Sequence, residues 1–365
     1  MSLRERMHEL ADGARSYADP DAAVARARRR RVTSTAVPLG VAGLVLSGLV
    51  LSGLPWLPAD GPAEVDHRYP AAVAFETAPP LPANRAVGTA SFVYGRCTPT
   101  RSACEPFLVL PDGKQYALPE APGFGTILVT LSPNGRWLGW SNGIEFYLRD
   151  LHGQRERMFR GKSGWTGARW SPDGRWLVLS WNNMGEFTII DMNTGKGTFL
   201  DRVPGWPTVV TNEGNWIVWD TPFEGGYDVL DPRTGRTEHH RVTPSVGRAG
   251  EYALPPVLTP CSCTAMVPLF PSGTVDPYFV HGPVVAIVEV DLADGHVITR
   301  LDLPRDDGSW HPKVALPDEG ILLLHAVPDA TEIVQLNTIS GQRLVVSRLP
   351  AGVDVILRGA GTPTS

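Results

Sequence analysis

Lysine is nearly missing from this chain: its 33 basic residues include only four lysines, the rest being arginine. The 38 acids bring the formal net charge to −5. Residues 1–31 carry eight arginines and five acids, a net of +3, so residues 32–365 carry about −8. Nucleic-acid binding needs a basic face that displaces counterions, and this body excludes such a partner. Metal and catalytic signatures are scarce as well. No His-Glu-x-x-His helix or calcium loop occurs, which removes the commonest legible metal sites. Gly161-Lys-Ser163 lacks the upstream glycine of a phosphate loop, because position 156 is glutamate. Gly139-Trp-Ser141-Asn-Gly143 matches the spacing of a nucleophile elbow, but a second strand at Glu145 replaces the helix that this chemistry needs. No catalytic, cofactor-binding or metal-ligating residue is expected.

Charge is also missing between Ala36 and Trp56. A run of that length matches the hydrocarbon core of a bilayer, about 30 Å thick. Arg28, Arg29, Arg30 and Arg31 precede it, while Asp60, Glu64 and Asp66 follow. The positive-inside rule therefore puts the N-terminus in the cytoplasm and everything after the span outside. A cleaved signal peptide is the rival reading. Its basic region would be unusually long, and Leu57-Pro58-Ala59 is a poor cleavage site. Before the span, Leu3, Met7, Leu10, Ala14 and Ala18 recur at helical spacing. That short helical segment either only orients the chain or docks a cytoplasmic partner.

After residue 60 no long helical periodicity appears, and 38 glycines and 34 prolines punctuate the chain. What is present is a repeat. Leu131-Ser-Pro133-Asn-Gly135-Arg-Trp137, Trp170-Ser-Pro172-Asp173-Gly174-Arg-Trp176 and Val210-Thr-Asn-Glu-Gly-Asn-Trp216 start 39 and 40 residues apart. Proline presets φ, the Asn or Asp side chain bonds the nearby backbone, and glycine takes the left-handed corner. A second corner recurs as Asp150-Leu-His-Gly153, Asp191…Gly195, Asp231…Gly235, Asp291…Gly295 and Asn337…Gly341, with an earlier copy at Leu110-Pro-Asp-Gly113. Two hairpin turns in about forty residues make four strands, the size of one propeller blade. Six corners predict six blades. The first repeat lacks an innermost strand and the chain ends with a spare one, Gly352–Arg358, which would close the ring. Trp137, Trp176 and Trp216 fall at matching places in the repeat and are expected between blades.

Trp170-Ser-Pro-Asp-Gly-Arg-Trp-Leu177 resembles the repeat of TolB-like, WD-related β-propellers, clearly over about residues 128–240 and in weaker form to about 346. The Gly-His and Trp-Asp pairs of true WD repeats do not occur. The resemblance implies an all-β propeller and says little about activity, because propellers host binding, scaffolding and catalysis alike.

The expected organisation is a cytoplasmic basic segment at 1–31, a transmembrane helix at 32–57 and a proline-rich linker at 58–85. An extracytoplasmic six-bladed propeller at 86–358 and a tail at 359–365 follow. The linker is read as a stalk. All four cysteines fall on the outer side, where disulfides persist. Cys97 and Cys104 are spaced to staple a hairpin, whereas the pairing of Cys261 and Cys263 stays open. The stretch from Ser245 to Pro283 is the most irregular and carries an insertion of about twenty residues, a candidate recognition loop or a decorative one. Trp165, Trp206 and Trp310 are candidates for stacking on a carbohydrate. The leading function is a membrane-anchored, non-catalytic module that binds or senses a ligand or envelope protein. An envelope hydrolase or lyase with its site at the channel, and an envelope scaffold, are the alternatives.

Overall fold

Serine explains why the repeated turns form. In one turn Ser132 Oγ accepts the Trp137 amide at 2.8 Å and donates to Asn134 Oδ1 at 2.7 Å. In the next copy Ser171 Oγ accepts the Trp176 amide at 2.9 Å and donates to Asp173 Oδ1 at 2.6 Å. The hydroxyl thus ties both ends of the turn, and Gly135 and Gly174 take the left-handed corner at φ +67° and +71°.

The computed structural model describes residues 69–359 apart from 74–77, 98–103, 119–128, 142–143, 161–163, 182–185, 201–208, 220–225, 244, 249, 254, 272–283, 305–308 and 317–319. Its strands begin with β1 (Phe92–Cys97), β2 (Cys104–Val109) and β3 (Gln115–Ala117). The second sheet is β4 (Val129–Leu131), β5 (Trp137–Ser141), β6 (Glu145–Asp150) and β7 (Glu156–Arg160). The third is β8 (Trp165–Trp170), β9 (Trp176–Trp181), β10 (Glu186–Asp191) and β11 (Lys196–Leu200). The fourth is β12 (Val209–Val210), β13 (Trp216–Trp219), β14 (Gly226–Leu230) and β15 (Thr237–Arg241). In the fifth, β16 (Glu251–Ala253) and β17 (Val257–Leu258) both pair with β18 (Thr264–Pro271), followed by β19 (Ala286–Asp291) and β20 (Val297–Asp302). The sixth is β21 (Ser309–Ala315), β22 (Gly320–Val327), β23 (Ala330–Asn337) and β24 (Arg343–Pro350). Last comes β25 (Asp354–Leu357), which returns to pair antiparallel with β1 and gives the first sheet the order β25-β1-β2-β3.

Six sheets of this kind make a six-bladed β-propeller, with β25, β4, β8, β12, β16/β17 and β21 innermost. The hydrophobic core is divided accordingly into six clusters, each lying between neighbouring blades. Phe92 and Leu357 of the first blade meet Leu322 and Leu349 of the last, so the ring is closed by packing as well as by β25. Closure removes the free edge that an open sheet array would leave at its first inner strand.

The structure differs from the sequence expectations at several places. The described part of the proline-rich stretch, from Tyr69 to Arg85, lies along the propeller instead of leading away as a stalk. Ala72 bridges to Arg348 of β24 and Pro80 to Ala117 of β3, with Val73 and Leu81 buried. Arg149 fastens it by donating to the carbonyl oxygens of Pro82 and Arg85. The strap thus crosses the outer side of the junction that β25 closes from within.

The described part of the Ser245–Pro283 stretch, up to Pro271, is largely blade and not loop. It contributes β16, β17 and β18, and Ala265, Met266, Val267, Leu269 and Phe270 are buried in the core. The prolines thus hide a blade's two inner strands.

Trp216 is one position out of phase with its apparent partners. Trp137 and Trp176 pair with the corner residues Asp150 and Asp191, but Trp216 pairs with Leu230, one residue before the Asp231 corner. The turn before it closes from Thr211 to Asn215, whereas the serine turns close from Ser132 to Trp137 and from Ser171 to Trp176. One residue fewer moves a side chain to the other face of a strand. Trp216 is accordingly fully buried and the other two only partly.

Residues 1–31, the expected span at 32–57 and the tail after Gly359 lie outside the described residues. Among the described residues no helix is long and apolar enough to cross a membrane.

Candidate functional site

The innermost strands carry two basic residues that no motif advertises. Arg169 stands on β8 in the third blade and Lys313 on β21 in the sixth, which are opposite blades of a six-membered ring. Lys313 is the extra residue of a β-bulge: Pro312 pairs with Leu323 and Val314 with Leu322, and Lys313 has no opposite number. Bulges of this type re-aim a side chain out of the regular alternation. Both residues keep some solvent contact although protein surrounds them. Each stands on the innermost strand of its blade, the one nearest the axis of the ring.

Their electrostatics follow from this placement. Burial pulls the Arg169 guanidinium down to about 10, and Arg169 also donates to the carbonyl oxygen of Ala168 at 2.9 Å. Burial likewise lowers Lys313, opposed by the negative charge of Asp354 on β25 in the adjoining blade. Arg169, at about 10, remains cationic at neutral pH. An incompletely hydrated cation attracts an anionic group more strongly than one at the open surface.

One rim of the propeller carries the turns between first and second strands, and side chains link them from blade to blade. Asn212, in the fourth blade, is the centre. Its Oδ1 accepts the Asp173 amide of the third blade at 2.9 Å, and its carbonyl accepts Trp176 Nε1 at 3.1 Å. On the other side its Nδ2 donates to the Pro260 carbonyl at 2.8 Å and its amide to Ser262 Oγ at 3.1 Å. The fifth-blade turn holds the Cys261–Cys263 disulfide, where the second and third blades carry serine turns and the fourth a threonine turn.

The remaining sequence candidates are placed as follows. Ser141 is buried in β5 opposite Phe146, and a side chain at Gly139 would press on that ring, so no exposed nucleophile forms there. Trp165 and Trp310 are buried and unable to stack on a sugar, and Trp206 lies outside the described residues. His239 lies on the outer strand β15 and bonds Asp228 at 2.8 Å, while its neighbour His240 stacks on Tyr227. Gly195, Gly235, Gly295 and Gly341 occupy left-handed corners between third and fourth strands, with φ from +68° to +74°. Pro133, Pro172 and Asp173 sit in the serine turns. The β1–β2 register sets Cys97 directly opposite Cys104. Among the described residues no cluster of His, Cys, Asp and Glu could hold a metal ion.

Sequence reasoning missed Arg169 and Lys313. Their signal was weak but present: each is a basic residue inside a strand, and Lys313 is one of only four lysines.

No family model and no curated protein matches this sequence. Solved structures similar to it include Kuenenia stuttgartiensis hydrazine synthase, at 16% identity and TM-score 0.40, over 61% of this chain and 65% of that one. TolB from Acinetobacter baumannii is similar at 15% identity and TM-score 0.44, over 74% of this chain and 65% of that one. The β-propeller domain of Myceliophteria thermophila Cps50 (Swd1) shows 13% identity and TM-score 0.44, over 73% and 88%. The chain thus spans a little under two thirds of the hydrazine synthase and the Acinetobacter TolB.

Proposed function

We propose that this chain is a membrane-anchored, extracytoplasmic binding module whose propeller takes an anionic group of its ligand at the axis. The observation that carries the proposal is the placement of Arg169 and Lys313 on innermost strands of opposite blades. Six rigid blades hold these basic side chains in fixed positions, so binding costs little reorganisation. Asp354 beside Lys313 limits the net positive charge and favours a ligand that also carries a donor group. The anchor rests on the uncharged run Ala36–Trp56 and its flanking arginines, and the same proposal includes a Cys97–Cys104 bridge across the β1–β2 hairpin.

Calorimetric titration of the full chain in detergent with citrate and with inorganic phosphate tests the axial site. Binding should be seen with one of them, weaken as salt rises, and fall at least tenfold in Lys313→Met and Arg169→Met. Binding unchanged in both variants would refute it. Protease added outside spheroplasts tests the topology: the propeller should be digested and the N-terminal segment protected.

A further inference from the structure

The fifth-blade turn is chemically unlike the rest of the rim. Cys261 and Cys263 are both exposed, and the disulfide between them closes a ring containing only one intervening residue, Ser262. Ser262 is the one non-glycine residue with positive φ among the described residues, at +53°. A side chain there meets the backbone, which disfavours the left-handed region for every L-residue except in special turns. Elsewhere on this rim glycine occupies the left-handed corner, as at Gly135, Gly174 and Gly214. The covalent ring therefore holds serine in a conformation that blades two, three and four give to glycine. Exposed disulfides that store backbone strain are the ones that exchange readily.

We propose that Cys261–Cys263 is a redox-active disulfide that exchanges with low-molecular-weight or peptide thiols. The surroundings of the two sulfurs assign the direction of attack. Cys261 Sγ accepts the Cys263 amide at 3.3 Å, so negative charge developing on Cys261 is stabilised. A thiolate attacks Cys263 Sγ; its new S–S bond forms as the Cys261–Cys263 bond breaks, and Cys261 leaves as the thiolate. A second thiol then attacks the mixed disulfide, releasing Cys263. The protein gains two electrons and two protons, and two thiols become one disulfide. Once the ring opens, Ser262 is free to leave the left-handed region. Its hydroxyl is the acceptor for the Asn212 amide, so reduction also loosens the link between the fourth and fifth blades.

The test equilibrates the full chain in glutathione buffers, quenches with acid, alkylates free thiols and maps the peptides by mass. Cys261 and Cys263 should be reduced where excess reduced glutathione is present, with the trapped mixed disulfide on Cys263. Ser262→Gly removes the backbone penalty without removing a sulfur. It should shift the equilibrium toward the disulfide by about fivefold or more, the scale of the left-handed penalty. A pair that stays oxidised in excess reduced glutathione overturns the exchange. Glutathione found on Cys261 overturns the direction, and an equilibrium unmoved by Ser262→Gly overturns the strain as its source.

Discussion

Two glycines in equivalent turns separate the cost of a backbone conformation from the cost of disturbing the ring's closure. Gly135 and Gly174 share the left-handed corner, but their neighbours differ. A Cβ at Gly174 would meet only Pro133 Cδ at 3.5 Å, an ordinary contact. A Cβ at Gly135 would overlap the carbonyl oxygen of Ala90 and press on Arg358 Nε at 2.8 Å. Ala90 cannot retreat easily: its amide donates to the Gly135 carbonyl at 2.9 Å, and its oxygen accepts Arg358 Nε, which follows the closing strand β25. Gly174→Ala should therefore cost about 1–2 kcal/mol, the left-handed penalty alone. Gly135→Ala adds an overpacking term of about 1–3 kcal/mol, giving about 2–5 kcal/mol in all. Urea titration of both variants, followed by tryptophan fluorescence with the slope checked for constancy, measures the difference. Equal losses would refute the packing of blade two on the closed seam.

Two other outcomes follow from particular contacts. Trp216→Ala should cost about 3–5 kcal/mol because a fully buried side chain is removed, and Trp176→Ala clearly less, both read from denaturant midpoints. Glu251 is held below the usual carboxylate range mainly by its hydrogen bonds from Arg300, at 2.7 and 2.8 Å. A depressed folded-state pKa means stability that is present above the unfolded carboxylate value and lost as pH falls through the folded one. Melting temperatures should therefore drop less steeply below about pH 4 in Glu251→Gln than in the parent. An identical acid slope would remove this pair from the acid sensitivity of blade five.

The serine turns were legible because each residue carries its own conformational instruction: hydroxyl cap, preset φ, left-handed corner. Spacing alone could not place Trp216, since a turn shortened by one residue preserves the forty-residue rhythm while reversing the strand face. Blade five was hidden for another reason. Pro255, Pro256, Pro268 and Pro271 interrupt the alternation that marks a strand, yet the sheet accepts them at a break between β16 and β17 and within β18. The strap from Tyr69 was misread because prolines describe an extended chain equally well whether it runs through solvent or along a protein surface. Arg169 and Lys313 belong to no motif at all. Only the ring, by setting strands far apart in sequence around one axis, makes them a pair.

The closing strand is where a six-bladed ring can be tested most directly. Val355 and Leu357 of β25 are buried against the first and last blades, and the strand completes the first sheet through its pairing with β1. Deleting residues 354–365 from the full chain and following unfolding together with hydrogen exchange in β1 isolates that contribution. Ring closure predicts that the single cooperative transition is lost and that the amides of Phe92–Gly95 exchange far faster than in the parent. A truncated chain that unfolds in one transition at the parent's midpoint, with β1 still protected, would contradict it.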